Sequence, residues 1–387
     1  MTLKRRCARL AAVTFLTLLL PHAAAEAADV LFPPDAVINV KDYGALPDDG
    51  KDDTAAIQKA ITENVGTGRT IYFPAGTYQV SDTLRSIDKN GKWEAHITLQ
   101  GDGIDKTILR LPKNTTGFGD PEKPKAMIMT GSHWNEGDSE DGGGNKAFRN
   151  NIRDISLDVS SGNTGTIGIE WAVSNQGTIR NVNISSETWG VRNASGVAGI
   201  AMKRRIPGPG LLSSVHITGF DIGVDIGDIQ YGVTMDSVQT TGQRIAGVRI
   251  DHNLLFAHGF ASGSTAPAIL STGDKATVTV VNSVMMDGRA ESTGIEFRGS
   301  AANLLVRDTR AEKFGSLIQF GDGVKLSSSN AAPALIQPAD PRYFRADISH
   351  WQPVGPRQDG ESDDTAAIQR AIDTGKAVVY FPIKRDY

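Results

Sequence analysis

The chain has 387 residues, 39% hydrophobic and 22% charged, with a formal net charge of −4. This is ordinary globular composition, and it excludes a disordered or collagen-like chain. A mild acidic balance gives no footing for nucleic acid, and the single cysteine, Cys7, excludes a disulfide framework.

Taken in chain order, the first element is a leader. Lys4, Arg5, Arg6 and Arg9 precede the apolar run Leu10–Leu20, and Ala23-Ala24-Ala25 or Ala25-Glu26-Ala27 offers a cleavage site. Residues 1–27 therefore read as a secretory signal peptide, with a secreted or periplasmic product and no membrane contact after cleavage. A retained anchor is the alternative, although the run is short for a bilayer span. Removing residues 1–25 moves the formal charge from −4 to −8.

Next comes Asp52-Asp53-Thr54-Ala55-Ala56-Ile57-Gln58-Lys59-Ala60-Ile61. Either aspartate can cap a helix. Ala56, Ile57, Ala60 and Ile61 share one face, while Gln58 and Lys59 point away. A strand–turn–strand unit over residues 70–78 follows.

Between residues 150 and 320 a tetrad recurs: Ile152-Arg153-Asp154-Ile155, Ile179-Arg180-Asn181-Val182, Leu212-Ser213-Ser214-Val215, Met235-Asp236-Ser237-Val238, Phe256-Ala257-His258-Gly259, Val281-Asn282-Ser283-Val284 and Val306-Arg307-Asp308-Thr309. A second ladder keeps step: Gly168-Ile169-Glu170, Gly199-Ile200-Ala201, Gly223-Val224-Asp225, Gly247-Val248-Arg249, Ala268-Ile269-Leu270, Gly294-Ile295-Glu296 and Ser316-Leu317-Ile318. The period is too short for strand–helix–strand units or propeller blades. It suits an all-β, right-handed parallel β-helix, in which Ile155, Val182, Val215 and Val238 line one column and the Asp52–Ile61 helix caps the open end.

The opening run Val40-Lys41-Asp42-Tyr43-Gly44-Ala45, the Asp52–Ile57 stretch and Tyr72-Phe73-Pro74-Ala75-Gly76-Thr77-Tyr78 resemble the pectate-lyase-like superfamily of the rhamnogalacturonase and epimerase type. The resemblance covers roughly residues 37–325. It implies a β-helix and a polysaccharide partner, and leaves the reaction open among hydrolysis, β-elimination and epimerisation. It implies no required cofactor, with Ca2+ reserved for a lyase. Oligomeric state is left open.

Candidate chemistry falls on the outward position of the second ladder. Glu170 and Asp225, two rungs apart, are separated by roughly 9–10 Å at the about 4.8 Å rung spacing, which suits the acid and base of an inverting glycosidase. Arg249, one rung on, would hold Asp225 ionised or bind a uronate. Asp251, His258 and Glu296 are reserves. Arg249-Ile250-Asp251-His252 resembles a pectate-lyase segment, and His258-Gly259 is similar to a polygalacturonase pair whose companion motifs are absent. A charged face kept for solubility is the alternative for the strip, and a turn histidine without catalytic duty is the alternative for His258. Two long turns offer substrate contacts. One carries Trp134 before an acidic cluster; the other carries Trp189 and the basic run Lys203-Arg204-Arg205, suited to an acidic sugar. No metal site is expected from these spacings.

A second copy of the capping phrase, Asp363–Ile372, matches the first at nine of ten positions, and Tyr380-Phe381-Pro382 repeats Tyr72-Phe73-Pro74. Residues 326–342 read as a linker and 343–387 as the truncated start of a second module, an arrangement resembling glycoside hydrolase family 55. In that family the catalytic acid is expected in the second helix. A cap on the far end of the first solenoid is the alternative. The favoured function is glycosidic hydrolysis by paired carboxylates, followed by lyase or epimerase action on a uronate polymer, then noncatalytic carbohydrate binding.

Overall fold

The computed structural model describes residues 36–133, 142–143, 145–186, 196–204, 206–227, 231–299, 303–319, 325–329, 351–353, 365–376 and 378–381. The leader, Trp134, Trp189, Arg205, residues 330–342 of the expected linker and 343–350 of the expected second module lie outside them.

The chain coils into a right-handed parallel β-helix. Among the described residues, nine parallel strands form one face: Leu84–Arg85, Lys125–Met129, Thr166–Glu170, Ala198–Met202, Ile222–Ile226, Ala246–Ile250, Ile269–Ser271, Thr293–Phe297 and Ser316–Gln319. Seventeen strands among the described residues form a second sheet that wraps the remaining two faces. A representative rung runs along Thr166–Glu170, turns, and continues as Gly177–Ser186, which bends at Asn181.

That bend explains the tetrad. Asp154, Asn181, Ser214, Ser237, Gly259, Asn282 and Asp308 all adopt φ between 49° and 60°. Short polar residues and glycine tolerate this left-handed region best. The side chains also ladder, with Asn181 Nδ2 donating to Asp154 Oδ1 at 2.6 Å. Ile155, Val182, Val215 and Val238 then point inward, each no more than 1% exposed, in one continuous core. Two tetrads are read one residue out of step. The bends at Gly259 and Asn282 put Phe260 and Ser283, not Gly259 and Val284, in the inward corner. The two slips run in opposite directions. The second comes from starting at Val281 when Val280 pairs with the inward Ala257. The first comes from treating Phe256 as a core residue. It is 44% exposed, and Leu255 and Ala257 fill the interior beside it.

Glycines in the second ladder serve close packing. A Cβ on Gly168 would lie 2.6 Å from the Gly199 carbonyl oxygen and 2.8 Å from Ile184 Cγ2.

Helix α1, Thr54–Asn64, covers the first rung. Ile57, Ala60 and Ile61 are fully buried as expected. Gln58 is a correction: half-buried, it turns its amide toward the rung rather than away from it. Its Nε2 donates to the Arg85 carbonyl at 2.9 Å, and its Oε1 accepts from the Arg85 N–H at 2.8 Å. The otherwise open edge of the nine-stranded face is thereby closed. At the far end, the strand Lys325–Ser329 still pairs with Asn303–Arg307, four residues beyond the expected module boundary. A separate two-stranded sheet, Trp351–Pro353 with Val378–Tyr380, accompanies helix α2, Thr365–Asp373.

Candidate functional site

The nine-stranded face carries an outward column whose register is fixed by the ladder: Arg85, Met129, Glu170, Ala201, Asp225, Arg249, Leu270, Glu296 and Gln319. The last member is Gln319 rather than Ile318, because the strand Ser316–Gln319 pairs Ile318 with Ile295. The sequence-derived trio Glu170, Asp225 and Arg249 therefore lies on one strip, with small Ala201 between the two carboxylates.

Both carboxylates are engaged by cations. Asp225, its side chain only 6% exposed, accepts from Arg249 Nε at 2.8 Å and from Arg249 Nη2 at 2.5 Å. Lys203 Nζ approaches the same carboxylate at 3.6 Å. The hydrogen bonds to Asp225 raise the Arg249 pKa above its ordinary value and keep the guanidinium charged, outweighing its partial burial. Glu170 is held by Arg204 Nε at 2.8 Å. Arg204 also donates to the carbonyls of Thr130 and Glu170, and its guanidinium lies 5.3 Å from the centre of the Trp93 ring. Consecutive residues Lys203 and Arg204, just past the strand Ala198–Met202, thus reach to opposite neighbours: one to the rung of Asp225, the other to the rung of Glu170.

Trp93 is a member of this site that the sequence reading missed. It stands in the irregular turn 86–97, where no periodicity marks it. Its ring is seated against Gly131 and Gly142; a Cβ on Gly131 would lie 2.8 Å from Trp93 Cδ2.

The reserve residues disperse. Glu296 is on the strip, three rungs from Asp225, and pairs with Arg298 Nε at 2.7 Å. Asp251 sits in the turn after Arg249, 2.7 Å from His252 Nδ1. His258 belongs to the second sheet, where its Nδ1 lies 2.8 Å from Asp236 Oδ1 one rung away. Among the described residues no group of three or more His, Cys, Asp or Glu converges to hold a metal ion. With Glu170 and Asp225 bound to cations, their donor set does not fit a calcium cradle. Among the described residues, too, no helix is long and apolar enough to cross a membrane.

The chain is thus a parallel β-helix whose outward strip sets two carboxylates, Glu170 and Asp225, each against a cation. Residues 37–259 match the family described as rhamnogalacturonase A/epimerase, pectate lyase-like, and the chain belongs to this carbohydrate-active β-helix family. Among curated relatives, mannuronan C5-epimerase AlgE1 of Azotobacter vinelandii is 42% identical over 87 residues, which are 22% of this chain and 6% of that protein. Alginate lyase 7 of the same organism is 31% identical over 127 residues, 33% of this chain and 13% of that one. The chain therefore spans a small part of the relatives it matches. A solved structure of the phiAB6 tailspike, in complex with oligosaccharides of Acinetobacter baumannii surface polysaccharide, superimposes with a TM-score of 0.51. It is 12% identical, with 75% of this chain and 47% of that chain covered, a likeness of fold alone.

Proposed function

We propose that the chain binds a uronate-containing polysaccharide along the strip and acts at the sugar carbon next to the carboxylate, by β-elimination or epimerisation. The observation that carries this reading is the convergence of Lys203 and Arg249 on Asp225. Asp225 holds two cations side by side; their side chains are 53% and 28% exposed, so both reach water and an incoming anion. Cations around a uronate carboxylate stabilise the negative charge that develops there when the adjacent C–H loses its proton. In this reading Glu170, its side chain 21% exposed, is the strip carboxylate that accepts that proton, and Asp225 positions the cations. In elimination the C4–O glycosidic bond then breaks as the C4=C5 bond forms, and the leaving oxygen takes a proton from water. In epimerisation water returns a proton to the opposite face of C5. The names of the relatives, C5-epimerase and alginate lyase, favour the same substrate class. Secretion through the leader would bring the chain to such polymers.

Hydrolysis by a Glu170–Asp225 pair is less well supported. Hydrolysis needs one carboxyl that starts protonated to supply the leaving oxygen, and each of these two faces a cation. The same ion pairing supports a second reading, a binding module without turnover.

The test is incubation with alginate and with pectate. Unsaturated-uronate absorbance marks elimination, C5 deuterium uptake from heavy water marks epimerisation, and reducing ends without unsaturation would overturn the proposal in favour of hydrolysis. Retention on the polymer with no chemical change would select the binding module.

A further inference from the structure

We infer that the second sheet carries a separate glycan-binding face, centred on Phe256, which takes an extended neutral polysaccharide lengthwise by the flat faces of its sugar rings. The face lies off the strip that holds Glu170 and Asp225 and does not depend on the chemistry there.

Ladder register sets one outward row across five rungs: Leu211, Thr234, Phe256, Thr279 and Leu305. The inward residues beside it, among them Leu255, Val278 and Leu304, already fill the core. The row's apolar members are therefore not needed for packing. Phe256 and Leu305 are 44% and 37% exposed, and Leu254, on the same outward side as Phe256, is 49% exposed. Together these three expose roughly 250 Å² of apolar surface, against about 800 Å² per partner in a stable protein interface. That area is too small for a second copy of the chain and suits a slender ligand.

Spacing, charge and the rim of the row specify that ligand. Apolar side chains alternate with threonine hydroxyls, so Leu211, Phe256 and Leu305 recur every second rung, roughly 9–10 Å apart. This is close to the length of an extended disaccharide. Like-facing rings of one ribbon-like glycan then fall on successive apolar side chains, with threonine hydroxyls between them. The five residues of the row carry no charge. Beside Phe256, on the same outward side, His258 Nδ1 lies 2.8 Å from Asp236 Oδ1, and the Asp236 side chain is 42% exposed. That carboxylate accepts hydrogen bonds from sugar hydroxyls at the ring's edge and repels a uronate. An aromatic face with an acceptor at its rim grips the C–H side of a pyranose while satisfying its hydroxyls. The chain's membership of a carbohydrate-active family favours the same occupant.

The experiment is affinity electrophoresis of the full chain in gels holding hydroxyethylcellulose, with alginate gels alongside. The expected result is retardation by hydroxyethylcellulose that persists at about 0.5 M salt, where contacts between exposed charges are screened. Phe256→Thr continues the threonine row at a solvent-facing position. It should weaken that retardation at least about fivefold, keep the melting temperature within roughly 3 °C and leave behaviour on alginate unchanged. Phe256→Trp should retain or strengthen the retardation. No retardation by hydroxyethylcellulose, or equal retardation of the Phe256→Thr chain, overturns the inference. Equal weakening on alginate also overturns it, because the face is then not selective for neutral glycan. So does a dimer in sedimentation that Phe256→Thr separates, because the occupant is then a second copy.

Discussion

Arg249 grips Asp225 side-on from the next rung, with both nitrogens of one guanidinium edge on both carboxylate oxygens at 2.8 and 2.5 Å. The pair is one rung deep in the sheet, so its geometry is set by backbone register rather than by two flexible side chains finding each other. Removing one partner strands the other. Asp225→Asn should destabilise the fold by about 2–4 kcal/mol, since Arg249 and Lys203 are left facing each other without the intervening negative charge. The double variant Asp225→Leu, Arg249→Leu extends the apolar row already begun by Leu270 and should recover most of that loss while abolishing retention on a uronate polymer. Denaturant midpoints and polymer retention check both. A single variant with full stability and no turnover would instead make Asp225 a catalytic residue.

Arg204→Lys is not a conservative change here. The guanidinium meets Glu170, two backbone carbonyls and the Trp93 ring at once, and an ammonium can reach only some of them. We expect a loss of about 1–3 kcal/mol in stability by urea titration and weaker polymer retention. Equal stability would mean that the fork is not needed.

The bend column makes a backbone prediction. At Asn181, φ is 49° and the side chain donates to Asp154. Asn181→Ala loses that hydrogen bond and puts a Cβ-bearing residue without local stabilisation in the left-handed region, for about 1–2 kcal/mol. Asn181→Gly loses the hydrogen bond but relieves the backbone, and should cost less than half as much. Thermal melts of the two variants separate the contributions; the reverse order would remove backbone conformation as the reason for the tetrad's polar third residue.

Much of this architecture was legible in the residues themselves. The tetrad carries two constraints at once, an inward β-branched residue and a left-handed bend before it, and so Ile155, Val182, Val215 and Val238 could be aligned without coordinates. The signal failed where the alternation was deceptive: Phe256 is large and apolar yet faces water, and it pulled the reading out of register. The strip was legible for the same periodic reason, down to Glu170, Asp225 and Arg249 on one line. Its electrostatics were not. Which cation meets which carboxylate depends on the path of the turn after Met202, and the contribution of Trp93 depends on an aperiodic turn passing beside that one. Gln58 was misassigned because a helical wheel separates polar from apolar, whereas a lid over an open sheet edge also needs a polar group facing down.

That lid also makes the fold sensitive to acid. Asp52 accepts from Ser81 Oγ at 2.6 Å and from the Thr54 N–H at 3.0 Å, tying the start of α1 to the turn after Gln79. Partial burial pushes its pKa up, but the hydrogen bonds from Ser81 and Thr54 together outweigh it and hold the carboxyl below its ordinary value. A carboxyl whose folded-state pKa lies below its unfolded one gives stability that is fully present above the unfolded value of about 4, and that disappears as pH falls through the lowered folded value. Asp53 acts in the opposite sense. Burial, its largest influence, raises its pKa despite the N–H groups of Leu46 and Gln79, so its own contribution favours the fold at low pH and fades as pH rises through the raised value. Below about pH 4 the lid should therefore loosen through Asp52. Asp52→Asn should lower stability at neutral pH by about 1 kcal/mol and flatten the decline between about pH 4 and 2. Hydrogen exchange of the α1 amides across that range is the measurement. An unchanged acid profile in the Asn variant would show that Asp52 does not couple the lid to protons.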